Sequence, residues 1–179
     1  FIVYRDIACW GGVRSSGTMA SAKEVQVRPA EMWASSVWSQ ALHRHTNYII
    51  FIGAGGLSGP GCETHLLEVA YRAATIPING GNVHITRQFR ARMNASQSPL
   101  DAEWSYEVAE AVMRSNHTRD TASDLLRKIG EKLKGRAPEA PYNDIREFYD
   151  LVHHKPLPAF EKAYLKVKDE MAALGLEFK

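Results

Sequence analysis

The feature that most constrains the fold is a run of five apolar residues, Tyr-Ile-Ile-Phe-Ile at positions 48–52, without alternation of apolar and polar side chains. A strand with one face in water alternates, whereas a strand covered on both faces, as in a parallel sheet, reads as an unbroken apolar run. A helical pattern lies on each side of it, over residues 29–43 and 63–75, and a glycine-rich segment, residues 53–61, separates the run from the second pattern. This order predicts an α/β fold built on a parallel sheet.

The chain divides into two parts of different charge density. Residues 1–98 carry 14 charged side chains, whereas residues 99–179 carry 28. Such a change is typical of a buried, layered segment followed by helices that face solvent. We therefore predict a layered α/β part over residues 1–98 and a helical part over residues 99–179.

Helical signals continue through the second part. Ser98 and Pro99 are typical of an N-cap and a first helical residue, so a helix is predicted from residue 99. Further helices are predicted after Thr121, over residues 144–151 and from Pro158, with a linker over residues 137–141. Apolar residues share a helical face in three places: Trp33, Val37 and Ala41; Leu100, Trp104, Val108 and Ala111; and Phe160, Tyr164, Val167, Met171 and Leu174. Stripes with this spacing are typical of packing against a core.

Composition excludes several classes of function. A net charge of +2 is too small to indicate a nucleic-acid-binding protein. No apolar run approaches the roughly 20 residues that a membrane-spanning helix needs. Cys9 and Cys62 form neither a disulfide framework nor a Cys-x-x-Cys pair. We expect a cytoplasmic protein that binds neither nucleic acid nor a membrane.

The glycine-rich segment is the sharpest candidate site. A strand, a glycine turn and a helix N-terminus can present backbone N–H groups to an anion. The segment departs from the dinucleotide fingerprint at Ser58, so a close-packed turn at the rim of a site competes with nucleotide binding. Cys62 precedes the following helix, a position that lowers the pKa of a thiol, although a small buried filler is the alternative. Residues 14–18 form a polar segment, predicted as a loop that could hold an anion.

Histidines offer a second kind of candidate. His43, His45 and His65 would form a metal site only if the fold brought them together with a carboxylate. Nothing in their spacing requires this, and a structural role is the preferred interpretation. His153 and His154 are predicted at a solvated helix end.

From the glycine-rich segment onward, the sequence resembles the monomethylamine:corrinoid methyltransferases of methylotrophic methanogens. The resemblance is carried by Gly59-Pro60, by Glu63 with the Leu-Leu-Glu at 66–68, by Ala-Arg-Met at 91–93, and by the closing segments 164–167 and 174–178. Order and spacing agree from about residue 53 to the end of the chain.

The resemblance implies the C-terminal portion of a (β/α)₈ barrel, its last strand–helix units over residues 1–98, followed by a helical C-terminal extension over residues 99–179. It implies transfer of a methyl group from methylamine, or a related donor, to the Co(I) of a corrinoid carried by a partner protein. The pyrrolysine that the family uses would lie upstream of Phe1, which makes the chain part of a longer one. A homo-oligomer is also implied.

At two positions where the family has a Gln and a Tyr lining its pyrrolysine pocket, this sequence has Gly53 and Gly55. The hypothesis is a divergent relative whose small residues let the planar corrinoid approach closely. The candidate residues of this mouth are Gly53, Gly55, Gly56, Gly59, Cys62 and Glu63. No catalytic base and no metal ligand is assigned. The alternatives are a non-enzymatic α/β module that acts in assembly, and a nucleotide-binding enzyme that uses the glycine segment.

Overall fold

The computed structural model describes residues 13–16, 29–47, 49–84 and 97–179. Along the chain the elements are β1 (Val13–Ser16), α1 (Pro29–His45), β2 (Ile49–Gly53), α2 (Glu63–Ile78), β3 (Asn82–His84), α3 (Pro99–Arg114), α4 (Arg119–Leu133), a 3₁₀ turn (Ile145–Glu147), β4 (Tyr149–Asp150), β5 (Lys155–Pro156) and α5 (Pro158–Ala172). In the part of the chain covered by these ranges, no helix is long and apolar enough to cross a membrane.

Strands β1, β2 and β3 form a parallel sheet with β2 in the centre. Residues 49–52 of the apolar run therefore lie in the central strand, and the α/β prediction is confirmed. The prediction of a polar loop over residues 14–18 is wrong for Arg14 to Ser16, because these residues pair with Ile50 to Ile52 and their backbone groups are used in the sheet. Residues 17 and 18 lie outside the described residues.

The helices described here cover one face of this sheet. Ile50 and Ile52 are buried and join a core with Leu42 of α1 and Leu66 of α2. Ile49, which points to the opposite face, is 55% exposed, and Phe51 is half-buried. Within the described ranges, the second face of the sheet is therefore open.

Helix α2 is the centre of the molecule. Its residues from Thr64 to Ala70 are all buried, and it packs against α1, α3, α4 and α5. The helices of residues 99–179 consequently share one hydrophobic core with the sheet. A continuous core of this kind makes α2 the layer between the sheet and the C-terminal helices.

The start of α3 follows the sequence prediction. Ser98 and Asp101 form a capping box, in which Ser98 N donates to Asp101 Oδ2 at 2.7 Å. The predicted stripe of α3 is buried, and in α5 the stripe residues Phe160, Val167 and Met171 are buried while Tyr164 and Leu174 are half-buried.

Four predictions of local structure need correction. Helix α4 begins at Arg119 instead of after Thr121, because the Thr118 hydroxyl caps it by accepting from Thr121 N. Residues 144–151 form a 3₁₀ turn and a short strand instead of a helix. His153 and His154 lie in the turn between β4 and β5, not at a helix end. Trp33, on the apolar stripe of α1, is 68% exposed, since Met32, Ser35, Ser39 and Leu42 supply the buried face.

Candidate functional site

The carboxyl edge of the sheet places two side chains in contact. Gly53, the last residue of β2, pairs with His84, the last residue of β3. The His84 ring meets the ring of Phe51 edge to face, with 5.9 Å between the centroids. His84 is exposed, and both rings lie on the open face of the sheet. Ligands of parallel α/β sheets bind at such edges, so this is the position where a site is expected.

The glycine segment after β2 is packed against α2. The Ser58 backbone N–H donates to Glu68 Oε2 at 2.8 Å, and the Ser58 hydroxyl donates to Glu68 Oε1 at 3.2 Å. A Cβ on Gly56 would overlap the Glu68 carboxylate and lie 2.8 Å from Glu68 Cβ. Gly56 is therefore small because the backbone must reach a buried carboxylate of its own chain.

A second segment covers the other side of the glycine segment. Gly59 N donates to the Glu139 carbonyl at 2.5 Å, and Glu139 N donates to the Ser58 hydroxyl at 3.1 Å. The Thr64 hydroxyl donates to the Glu139 carboxylate. A Cβ on Gly59 would lie 3.1 Å from Ala140 Cα. Residues 137–141, which were predicted to be a linker, therefore hold the glycine segment in place through these contacts.

Burial accounts for the state of Cys62. The Cys62 thiol is buried, and its Sγ donates to the Gly59 carbonyl at 3.3 Å. Burial raises its pKa to about 12, which outweighs the lowering by backbone N–H groups at the start of α2. The filler interpretation is confirmed, and the prediction of a lowered thiol pKa is wrong because desolvation dominates.

Glu63 belongs to a surface network. Its carboxylate accepts hydrogen bonds from Lys166 at 2.6 Å and from Arg136 at 2.9 Å. The hydrogen bond from Lys166 is the main reason that the pKa of Glu63 is lowered. These contacts tie the start of α2 to α5 and to the end of α4, and they occupy the carboxylate.

The six predicted mouth residues therefore lie in four different environments. Gly53 lies at the strand end beside His84, while Gly55, Gly56 and Gly59 are buried in the packed segment. Cys62 is a buried thiol, and Glu63 is an ion-paired surface carboxylate. Their role at a corrinoid mouth stays a prediction.

Sequence reasoning did not single out Glu68 or His84. Glu68 is only 3% exposed, and burial raises its pKa although both Ser58 donors favour the charged form. A carboxylate inside the apolar run at 66–70 was the available signal for a buried acid. His84 had no such signal, because its place depends on the pairing of β3 with β2.

Of the three histidine candidates, His65 has the structural role that was the preferred interpretation. His65 Nε2 lies 3.1 Å from Asp101 Oδ1, and both side chains are fully buried. His43 and His45 are exposed at the end of α1. Among the residues that the structure describes, no three His, Cys, Asp or Glu side chains form a group that could hold a metal ion.

No protein-family profile matches the sequence, and no curated protein matches it significantly. Two crystal structures share its fold. They are the monomethylamine methyltransferase MtmB of Methanosarcina barkeri and MtmB in complex with hydroxylamine. Each superposes with a TM-score of 0.68 at 21% identity over 80% of this chain, which spans 32% of the MtmB chain. The resemblance read from the sequence is thus confirmed at the level of fold.

Proposed function

We propose that this chain forms part of a methylamine-type methyltransferase, in which the carboxyl edge of the sheet faces the methyl donor and a corrinoid carried by a partner protein. The observation that carries the proposal is the shared fold with MtmB over 80% of the chain. The chain covers 32% of MtmB, so the complete site would need residues beyond those described here.

The one-sided sheet supports a barrel as the parent architecture. A doubly wound sheet carries helices on both faces, whereas a barrel sheet carries them outside and turns its other face inward. In the described residues, α1 and α2 cover the face of Ile50 and Ile52, and the face of Ile49 and Phe51 is open. We propose that this open face is barrel interior.

The sequence predicted that the glycine segment lets the corrinoid approach closely. The packing of that segment against its own chain favours an approach of the corrinoid at the strand ends instead. Gly56 and Gly59 are small because Glu68 and Ala140 of the same chain come close. The exposed His84 and half-buried Phe51 leave accessible surface at the strand ends. We propose that these two residues, with Gly53, would border the corrinoid, which supplies a Co(I) nucleophile for the methyl group when it is bound.

The chain's own groups suit a methylated amine. Methylammonium is a small cation, and an aromatic ring such as that of Phe51 attracts cations. When the methyl group departs, the amine nitrogen must keep or gain a proton, and a histidine ring nitrogen can donate or accept one. We assign this proton-holding role to His84, because Gly53 offers no side-chain donor.

An anaerobic assay tests the proposal. The full-length gene product is mixed with a Co(I) corrinoid protein and with mono-, di- or trimethylamine, and loss of the Co(I) absorbance is followed. We expect turnover with at least one amine, and His84→Ala should slow it by about 100-fold, the usual contribution of a proton-transfer group. His45→Ala, which removes an exposed histidine at the end of α1, is the matched control and should leave the rate unchanged.

A second candidate is a non-enzymatic assembly module. The observation that favours it is the packing of the glycine segment, in which Glu68 and Ala140 of the same chain lie against Gly56 and Gly59. Absence of turnover with all three amines, together with a stable complex with other protein chains, would support this candidate and exclude the enzyme.

A further inference from the structure

A groove crosses the molecule on the side opposite the glycine segment. It measures about 770 Å³ and lies between α1 and the first half of α4, over the C-terminal ends of α2 and α3. The C-terminal residues of α2, Pro77 and Ile78, contribute to it, whereas the glycine segment adjoins the first residue of the same helix. A helix of 16 residues is about 24 Å long, so the groove is separate from the carboxyl edge of the sheet.

The walls of the groove have the spacing of helix faces. The α1 residues that line it include Trp33, Val37, Gln40 and Arg44, which follow one another by four, three and four positions, and Ser36 beside Val37. Val37 is 47% exposed and Trp33 is 68% exposed, although both are apolar. The wall from Trp33 to Arg44 is about 16 Å long at 1.5 Å per residue, room for three turns of another helix. Exposed apolar side chains arranged in this way mark a binding groove for an amphipathic helix.

The charges around the groove have one sign. The cations Arg44 of α1 and Arg119 of α4 line it, together with His117 of the loop before α4, and none of the described lining side chains is an Asp or a Glu. The Nε2 atom of His117 is buried and makes no hydrogen bond within the described part of the chain. A ligand that brings carboxylates beside an apolar stripe would therefore be complementary in both respects.

We propose that this groove binds an amphipathic helix of a partner protein, with an apolar stripe against Trp33 and Val37 and carboxylates beside Arg44 and Arg119. This inference does not depend on the proposed methyl transfer.

A pair of designed peptides tests the charge argument. Each has about 15 residues, enough for four helical turns, with Leu at i, i+4, i+7 and i+11. One peptide carries Glu beside the Leu stripe, and the other carries Lys. Fluorescence anisotropy of the labelled peptides gives the Kd against the 179-residue chain. We expect the Glu peptide to bind at least ~10-fold more tightly, a difference of about 1.4 kcal/mol, and its advantage to shrink with added salt.

Variants of the chain locate the binding site. Arg119→Glu and Val37→Glu change exposed positions of the groove and should each weaken the Glu peptide by about 10-fold or more. Lys162→Glu and Leu165→Glu make the same changes on the exposed face of α5, outside the groove, and should leave its Kd unchanged. Emission of Trp33, read as the difference from Trp33→Phe, should shift to the blue as the groove fills.

Three results would overturn the proposal. If the Lys peptide bound as tightly as the Glu peptide, the charge argument would be refuted. If the Glu peptide bound the Arg119→Glu and Val37→Glu variants as tightly as the parent chain, its binding site would lie outside the groove. Self-association of the chain in sedimentation experiments, abolished by Val37→Glu, would assign the groove to a second copy instead of a partner helix.

Discussion

Replacement of Gly56 by alanine tests whether the glycine segment is held by Glu68. The new Cβ would overlap the Glu68 carboxylate and approach Glu68 Cβ to 2.8 Å. Both groups are buried, with Glu68 3% exposed, so neither can turn into solvent without opening the segment. The carboxylate would have to leave the Ser58 backbone N–H, which lies 2.8 Å from Oε2.

The cost of this change can be estimated from its two parts. Overpacking in a close-packed interior costs about 1–3 kcal/mol. A buried N–H that loses its acceptor, here that of Ser58, adds about 1–3 kcal/mol. Alanine recovers roughly 0.5 kcal/mol because it restricts the unfolded chain more than glycine does. We therefore expect Gly56→Ala to lower the free energy of unfolding by about 2–4 kcal/mol.

Urea unfolding followed by circular dichroism measures the effect, with Gly130→Ala as the matched control. Gly130 lies inside α4, where a new Cβ would be 3.4 Å from the Tyr71 hydroxyl, an ordinary contact. Alanine in a helix interior is favoured over glycine by about 1 kcal/mol, so this variant should be more stable than the parent. With a slope of about 2 kcal/mol per molar urea, Gly56→Ala should lower the midpoint by about 1–2 M.

A double-mutant cycle assigns the cost to the named contact. In a Glu68→Ala background the overlap is absent, so Gly56→Ala should cost much less than in the parent chain. An unchanged midpoint for Gly56→Ala, or the same loss in both backgrounds, would refute the close packing of Gly56 on Glu68.

Three further predictions follow from the buried groups. Burial raises the pKa of Glu68 above 4.5, so ionisation of its carboxyl group opposes folding. The protonated carboxyl stabilises the folded chain below pH 4.5, and this contribution is lost as the pH rises through the pKa of the folded state. In urea unfolding series from about pH 4.5 upward, the free energy of unfolding of Glu68→Gln should therefore fall less with rising pH than that of the parent chain. Parallel plots of unfolding free energy against pH for the two chains would contradict this. Because the pKa of Cys62 is raised to about 12, a Cys9→Ser chain should react with iodoacetamide at pH 8 only after urea is added, and rapid labelling of the folded chain would show an accessible thiolate. Trp104 is fully buried, and its indole N–H donates to a carbonyl of α2 at 2.8 Å. Trp104→Phe should therefore lower the free energy of unfolding by about 1–3 kcal/mol in the same urea unfolding assay. Tyr106→Phe, at a position that is 64% exposed, should leave it unchanged.

The parts of the fold that could be predicted depend on neighbours in sequence. The unbroken apolar run identified β2 because a central parallel strand needs apolar side chains on both faces. Ser98 and Pro99 predicted the start of α3, and the structure adds a capping box between Ser98 and Asp101, which are three residues apart. In both cases the physical cause lies within a few residues of the signal.

The candidate site was harder to predict because its contacts join distant residues. Glu139 holds Gly59 across 80 positions, and a segment rich in Ala and Pro gives no sign of such a contact. Cys62 shows a competition that sequence cannot resolve: its place before α2 favours the thiolate, and its burial opposes it more strongly. The neighbour of Gly53 at the strand end, His84, follows only from the register of β3 on β2.

Helix α1 shows why the spacing of apolar residues alone predicted the wrong buried face. The apolar stripe through Trp33 and Val37 has helical spacing, yet the face that packs inward carries Met32, Ser35 and Leu42. Buried Ser35 accepts a hydrogen bond from the guanidinium of Arg72 on α2 at 3.2 Å, so a polar position is needed there to satisfy a buried donor. An apolar stripe left outside by this arrangement has no packing role in the described core. Its side chains, placed opposite Arg119, are therefore best explained by a ligand that covers them, which is the reasoning that the peptide experiment puts to the test.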